Sequence, residues 1–533
     1  MSARSPDSFQ VSPQQEELWA AEPDGLTART QAVLAIDGKV DASAVADALR
    51  LAVGRHESMR TTFVRQPGLT LPLQVVNELL EPRIETLDLT TAGTQEQAER
   101  IAHALQSELE APFDFEHGPL VRAKLVIKSR DALELIVTVS ALCADPGSTS
   151  LLLGEVAGHL AAIDLVQDPL QYADFSAWQL ELSDSDGDEA RAARAFWEEF
   201  DDVCSPVLPF TRPRAGVGTP HEITIGVDDA LAQALSDQAR RCEAPPSALA
   251  QAAWHAVLGR FSGSDSSAVA FVPAERRHGD LEGALGAFAR PVPILARLEG
   301  TRSFAELLEE VDGARADALV RQDYAPAGAV LAIKIGFIEY HGQLAQPEGM
   351  RLTVQRMRRV GPEFGLFLMC GTLGQRLALS IAFDPARYRR DIVSQLADGL
   401  ERMLGVVATS PSVSLADVEL LDDDERRRLL REFNDTAASV PQECAHELIA
   451  RQALLAPDRP AVVEGATSIT YCELDARANQ LAHRLRACEV GPEVHEPERS
   501  IRAYPVAMKR WMALRDSDDV YRRISGRRIV ERD

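Results

Sequence analysis

The sequence predicts an α/β protein of two similar lobes, followed by a smaller α/β unit. Three observations lead there. Short apolar runs of strand length alternate with amphipathic stretches of helical period. The order of these elements in the first 170 residues is echoed between residues 220 and 406. Hydrophobic residues make up 45% of 533, enough for large cores.

In the first lobe, residues 28–36 (ARTQAVLAI) read as a strand and 41–55 as an amphipathic helix capped by Asp41. Residues 95–110 read as a second helix. Residues 120–127 and 133–140 read as two strands joined by a polar turn. The loop ALCADPGS follows, and Ser148 is placed to cap a helix over 149–163. In the second lobe, strands are expected over 222–226, 267–273, 332–338, 365–371 and 376–383. Helices are expected over 228–241, 245–261, 302–319 and 387–406. The boundaries that follow are 8–170 and 171–420 for the lobes, 421–443 for a linker with a charged, solvated helix, and 444–494 for the smaller unit.

Composition excludes several classes. A net charge of −25 argues against nucleic-acid binding, which needs a basic surface. Seven cysteines without CxxC spacing argue against a disulfide framework or a structural zinc site, and the histidines show no metal spacing. No run of about 18 apolar residues suggests a membrane span, and the first residues lack the apolar core of a signal peptide. The expectation is a soluble, cytoplasmic protein with no metal. From Arg499 to Asp533, ten Lys/Arg stand against five Asp/Glu and the βα pattern stops. That stretch, 495–533, is expected to be disordered: a basic tail for an acidic partner, or the product of a shifted reading frame.

Six ordered segments carry a family likeness: SPQQEELW (12–19), RHESMRTTF (55–63), APFDFEHGPLVR (111–122), YADFSAW (172–178), LGAFARPVP (285–293) and RQDYAP (321–326). Together they resemble the condensation domains of nonribosomal peptide synthetases over residues 10 to about 430. FNDTAASVP (433–441) and ITYCELDARANQLAHRLR (469–486) resemble the opening of an adenylation domain, but the phosphate-binding loop is absent. No ATP-dependent activation is expected.

The resemblance implies two chloramphenicol-acetyltransferase-like lobes in a V-shaped pseudo-dimer. It also implies donor and acceptor carrier proteins as partners, presenting substrates on phosphopantetheine arms, with no cofactor bound directly. The family's site motif is His-His-x-x-x-Asp-Gly. Here it reads SALCADP, with Ser140 and Ala141 at the histidine positions, Asp145 at the aspartate and Pro146 at the glycine. A histidine titrates near neutrality and suits proton transfer; alanine cannot replace it. The candidate catalytic residues are therefore Ser140, Asp145 and Ser148, with Asp145 also read as an arginine's structural partner and Ser148 as a helix cap.

Leu295 stands where the resemblance places an arginine, so Arg290 or Arg60 is expected to reach Asp145 instead. His56 is read as a framework residue. Cys143 is either a nucleophile or a buried small side chain. Tyr172, Asp174 and Trp178 are expected at the lobe junction.

Four functional readings follow. The first is amide formation between carrier-bound thioesters, helped by alignment and loop backbone donors. The second is a non-catalytic scaffold that recruits a tailoring enzyme, such as an oxygenase, or a carrier protein. The third is heterocyclization, from the partial pattern Ser140-x-x-x-x-Asp145-x-x-Ser148. The last is acyl transfer from coenzyme A.

Overall fold

The computed structural model describes residues 8–487, apart from 22–27, 166–167, 184, 201–202, 213–219, 327–331, 362–363, 375 and 437–442. It separates into two compact units, 1–423 and 424–533. The tail reading for 495–533 lies outside the described residues.

The first lobe is built on a five-stranded sheet. Its order is Met350–Val360, Arg29–Gly38, Ala132–Ser140, Val121–Ser129, Arg83–Asp88. Strand Arg29–Gly38 is apolar through its middle and buried on both faces, which suits the centre of a covered sheet. Helix Ala42–Arg55 starts where expected, with the Asp41 side chain accepting from the Ser43 backbone N–H.

Strand Met350–Val360 is a departure from the sequence reading, which places no element there and ends the first lobe at 170. The strand leaves the second lobe and pairs antiparallel along Arg29–Gly38. Leu352, Val354 and Met357 are buried, and an irregularity between Val354 and Arg356 resets the alternation so that Met357 faces inward. Four arginines in eleven residues hide this strand in the sequence. Two of them, Arg356 and Arg358, pair with Glu222.

The second lobe carries a six-stranded mixed sheet, ordered Val292–Arg297, Ser266–Val272, Ile335–Gly342, Leu366–Leu373, Arg376–Phe383, His221–Ile225. Helices Pro246–Ser262, Phe304–Arg321 and Arg390–Val407 cover it around a core that includes Trp254, Phe271, Phe304 and Phe337. A second continuous core joins Leu152 and Val156 of helix Pro146–Leu160 to Ile338 and Phe367 of the second sheet. The two lobes are therefore packed on each other through the helix that follows the site motif.

The unit from residue 424 contains helix Ala445–Leu455, an antiparallel strand pair Pro460–Glu464 and Thr467–Thr470, and helix Tyr471–Ala487. Ahead of these, Asp423–Arg427 and Arg428–Glu432 are helical with no buried residue, as expected of a solvated segment.

Candidate functional site

Strand Ala132–Ser140 delivers the motif. Its last residue is Ser140, the loop 141–145 follows, and the chain turns into helix Pro146–Leu160. The helix begins three residues earlier than the sequence suggests, because its N-cap is Asp145, not Ser148. The Asp145 carboxylate accepts from the Ser148 backbone N–H at 2.6 Å. Pro146 at the first helical position has no N–H to satisfy.

The same carboxylate is held from the other lobe. Arg276 donates from one guanidinium nitrogen to Asp145 Oδ2 at 3.0 Å and from the other to Oδ1 at 3.1 Å. The Ala289 backbone N–H donates to Oδ2 at 2.9 Å. Burial by itself pushes the Asp145 carboxyl up. Arg276, aided by the hydrogen bonds from Ser148, outweighs this and holds it below the ordinary carboxylate value.

Ser148 is equally committed. Its Oγ donates to the Gly286 carbonyl at 2.8 Å and accepts from the Gly286 N–H at 3.1 Å and from Arg276 at 2.7 Å. The Asp145 N–H donates to the Gly286 carbonyl as well. Gly286 has no room for a side chain, since a Cβ there would lie 1.9 Å from the Tyr172 ring. Tyr172 donates to the Ala287 carbonyl and shares a hydrogen bond with Ser12 Oγ. The Arg276 guanidinium lies over the Phe288 ring at 4.3 Å.

The loop itself is closed. Ser140 and Ala141, at the two histidine positions, are 0% and 1% exposed. Ser140 Oγ accepts from the Leu142 N–H at 3.3 Å. The Leu142 carbonyl accepts from Gln15 Nε2. Cys143 is buried, and burial pushes its thiol well above the ordinary range, which opposes thiolate formation. Asp145 and Ser148 are thus brought together as parts of a buried connection between the lobes, whereas Ser140 is bonded within the first lobe.

Two expectations about Asp145 are corrected. Arg60 donates to the Asn77 carbonyl and faces Glu57, because it sits in the turn before strand Thr61–Val64. Arg290 donates to the Asp323 carbonyl and lies 3.9 Å from Glu17. Neither reaches Asp145. The sequence reading missed Arg276, four residues past buried strand Ser266–Val272. The available signal was its adjacent arginine pair: Arg277 goes outward to Asp323 and Glu189, and Arg276 inward.

His56 is buried and meets Glu155 of helix Pro146–Leu160 at 3.0 Å, tying helix Ala42–Arg55 to the motif helix. Tyr172 packs with Phe175 and Phe288 at the junction, and Trp178 packs edge-on against His278. Among the described residues, no group of three His, Cys, Asp or Glu side chains is placed to hold a metal, and no helix is long and apolar enough to cross a membrane.

Two lobes sharing a crossover strand, with a strand–loop–helix motif buried between them, define a pseudo-dimeric α/β fold of the chloramphenicol-acetyltransferase-like class. The condensation-domain family model matches residues 6–430, and the chain belongs to that family. It is similar to chondramide synthase of Chondromyces crocatus, with 30% identity over 520 residues, covering 92% of this chain and 13% of that protein. It is also similar to surfactin synthase subunit 2 of Bacillus subtilis, 26% identical over 502 residues, covering 91% of this chain and 14% of that one. The chain thus spans a small part of these relatives' length.

Among solved structures, the first condensation domain of the calcium-dependent antibiotic synthetase aligns with a TM-score of 0.68 at 19% identity, over 78% of this chain and 99% of that one. The X-domain from teicoplanin biosynthesis, in complex with OxyB, aligns at 0.61 and 22% identity, over 79% of this chain and 98% of that one. These likenesses concern the fold.

Proposed function

We propose that this domain is a condensation-fold platform of a peptide-assembly line. It receives carrier-borne thioesters on phosphopantetheine arms and presents them to a separate tailoring enzyme, without forming the amide itself. One observation carries the reading: the motif loop holds no available proton acceptor. Ala141 stands at the position of the family's candidate base, and Asp145 and Ser148 are committed to Arg276 and Gly286. An aminoacyl amine is mostly protonated at neutral pH and must lose that proton before attacking a thioester. The same commitments leave little for heterocyclization, which would draw on Asp145 and Ser148. The fold likeness to an X-domain found in complex with OxyB supports a partner of the tailoring class.

The test is to load donor and acceptor carriers and follow them by intact-protein mass spectrometry. The expected result is no amide above the carriers-only background. Amide formation that depends on the domain overturns the platform reading.

A second reading is amide formation by alignment alone. The latch favours it, because Asp145 and Arg276 keep the motif helix and its loop fixed. On this reading amide appears and is lost on Asp145→Ala. If Ser140→Ala, Asp145→Ala and Ser148→Ala all leave product unchanged, a site-based enzyme is excluded.

A further inference from the structure

Strand Met350–Val360 belongs to both lobes. Along the chain it lies between Ile335–Gly342 and Leu366–Leu373, which are neighbours in the second sheet. By hydrogen bonding it is an edge strand of the first sheet, paired with Arg29–Gly38 from Met350 opposite Gly38 to Val360 opposite Arg29. Any parting of the lobes must therefore strip this strand from Arg29–Gly38 or carry it away from the second lobe.

The two attachments are unequal. On the first-lobe side the ladder runs the length of the strand, and Leu352, Val354 and Met357 are buried in one core with Leu34 and Ile36. Stripping the strand would expose all three to water. On the second-lobe side the strand is held sideways by one carboxylate. Glu222, on the outer strand His221–Ile225, accepts from Arg356 Nε at 2.8 Å and from a second Arg356 nitrogen at 2.5 Å, and lies 3.4 Å from Arg358 Nε. Arg358 also donates to the Pro220 carbonyl at 3.0 Å. The Arg356 side chain is 39% exposed, so water can take over its bonds. Two guanidinium groups share this carboxylate, and without it like charges face each other.

This contact sits far from the other tie between the lobes. Asp145 meets Arg276 just past strand Ser266–Val272, and His221–Ile225 is four strands farther across the same sheet, about 19 Å at about 4.8 Å per strand. Between them the motif helix packs on Ile338 and Phe367. The Asp145 pair is buried on both sides, whereas the Glu222 contact has an exposed partner. The rim contact is the one that gives way first.

We propose that Glu222, Arg356 and Arg358 form the releasable clasp of a hinge. The crossover strand stays with the first lobe, and the junction opens at the His221–Ile225 edge while Asp145 and Arg276 hold. This motion is independent of whether the domain forms an amide.

Double electron–electron resonance on the full chain tests the proposal through two distances, with spin labels carried by noncanonical residues so that the native cysteines stay in place. One pair, at Arg351 and Ala44, spans the crossover strand and the first lobe. The other, at Arg351 and Gln233, spans the strand and the second lobe; all three positions are exposed. Glu222→Gln is expected to raise the population of longer Arg351–Gln233 distances about tenfold, the worth of one charge-assisted hydrogen bond, and to leave the Arg351–Ala44 distance unchanged. Arg356→Gln, at the exposed partner, is expected to do the same and serves where Glu222→Gln does not fold. An unchanged Arg351–Gln233 distribution in the folded variants overturns the clasp. Lengthening of the Arg351–Ala44 distance overturns the hinge, because the strand then travels with the second lobe.

Discussion

Arg276 and Asp145 face each other across the lobe junction with both guanidinium contacts made, at 3.0 and 3.1 Å, in a setting where each side chain is at most 9% exposed. The pair replaces the connection that the sequence leads one to seek in Arg60 or Arg290. Ser148 and the Ala289 backbone complete it, so the carboxylate has donors on every side. A buried pair contributes modestly against apolar packing of equal shape. Breaking it is costly, because the surviving charge is stranded.

Asp145→Asn is therefore expected to lower the stability of the 1–423 unit by about 3–5 kcal/mol at pH 7, read from urea unfolding. The pH dependence has a definite sign. The folded carboxyl lies below its ordinary value of 3.8, so its contribution is present above that value and fades as pH falls through the folded one. The gap between wild type and variant should shrink below about pH 4. A gap that stays constant to about pH 3 would show that Asp145 is not held as a stabilised carboxylate.

Gly286→Ala puts a methyl group 1.9 Å from Tyr172. Overpacking of this kind costs about 1–3 kcal/mol. Pairing it with Tyr172→Leu should recover part of the loss, since the ring is what the methyl meets. Strict additivity of the two substitutions would mean that the clash is relieved by other movement.

Restoring the family's histidines through Ser140→His and Ala141→His tests whether an open catalytic site lies behind the substitutions. Both positions are buried, so two imidazoles have no room, and a loss of about 1–3 kcal/mol is expected with no gain in amide formation. Product above wild type in the carrier assay would refute the closed-loop description.

Much of the fold was legible because it is local. Asp41 caps its helix, the strands around 121–140 pair in sequence order, and the apolar runs of the second lobe form its sheet. Strand Met350–Val360 was not legible, because its apolar positions are separated by arginines whose partner, Glu222, lies far away in sequence. The motif loop could be located from the six segments, but not its latch. Arg276 is 131 residues from Asp145, and nothing in PAERRH distinguishes the arginine that turns inward from the one that turns outward. The Ser148 cap reading had the right chemistry one turn too late: Asp145, three residues earlier, takes the cap and leaves the hydroxyl for Gly286.

Cys143 provides a check on burial that is independent of activity. Its thiol is enclosed and pushed up by burial, whereas Cys204, Cys444 and Cys472 are exposed. Brief treatment of the folded protein with iodoacetamide should label Cys204, Cys444 and Cys472, the exposed cysteines among the described residues, and spare Cys143, as read by peptide mapping. Labelling of Cys143 at a comparable rate would require the loop to open in the native state.

His255 lies in helix Pro246–Ser262 within the second-lobe core, at 0% exposure. Desolvation is the leading cause that depresses its pKa from 6.5 to about 3. The unfolded chain thus takes up a proton at this residue near pH 6.5 while the folded protein refuses it, so stability falls as pH drops from about 6.5 toward 3. Between pH 7 and pH 5 the linkage amounts to about 2 kcal/mol. His255→Gln removes the titrating group while keeping a polar side chain of similar reach. The variant starts lower at pH 7 but should lose about 2 kcal/mol less than wild type across that interval, measured by urea midpoints at each pH. Parallel pH profiles for the two proteins would mean that His255 can acquire its proton without unfolding, and that the second-lobe core admits water at this point.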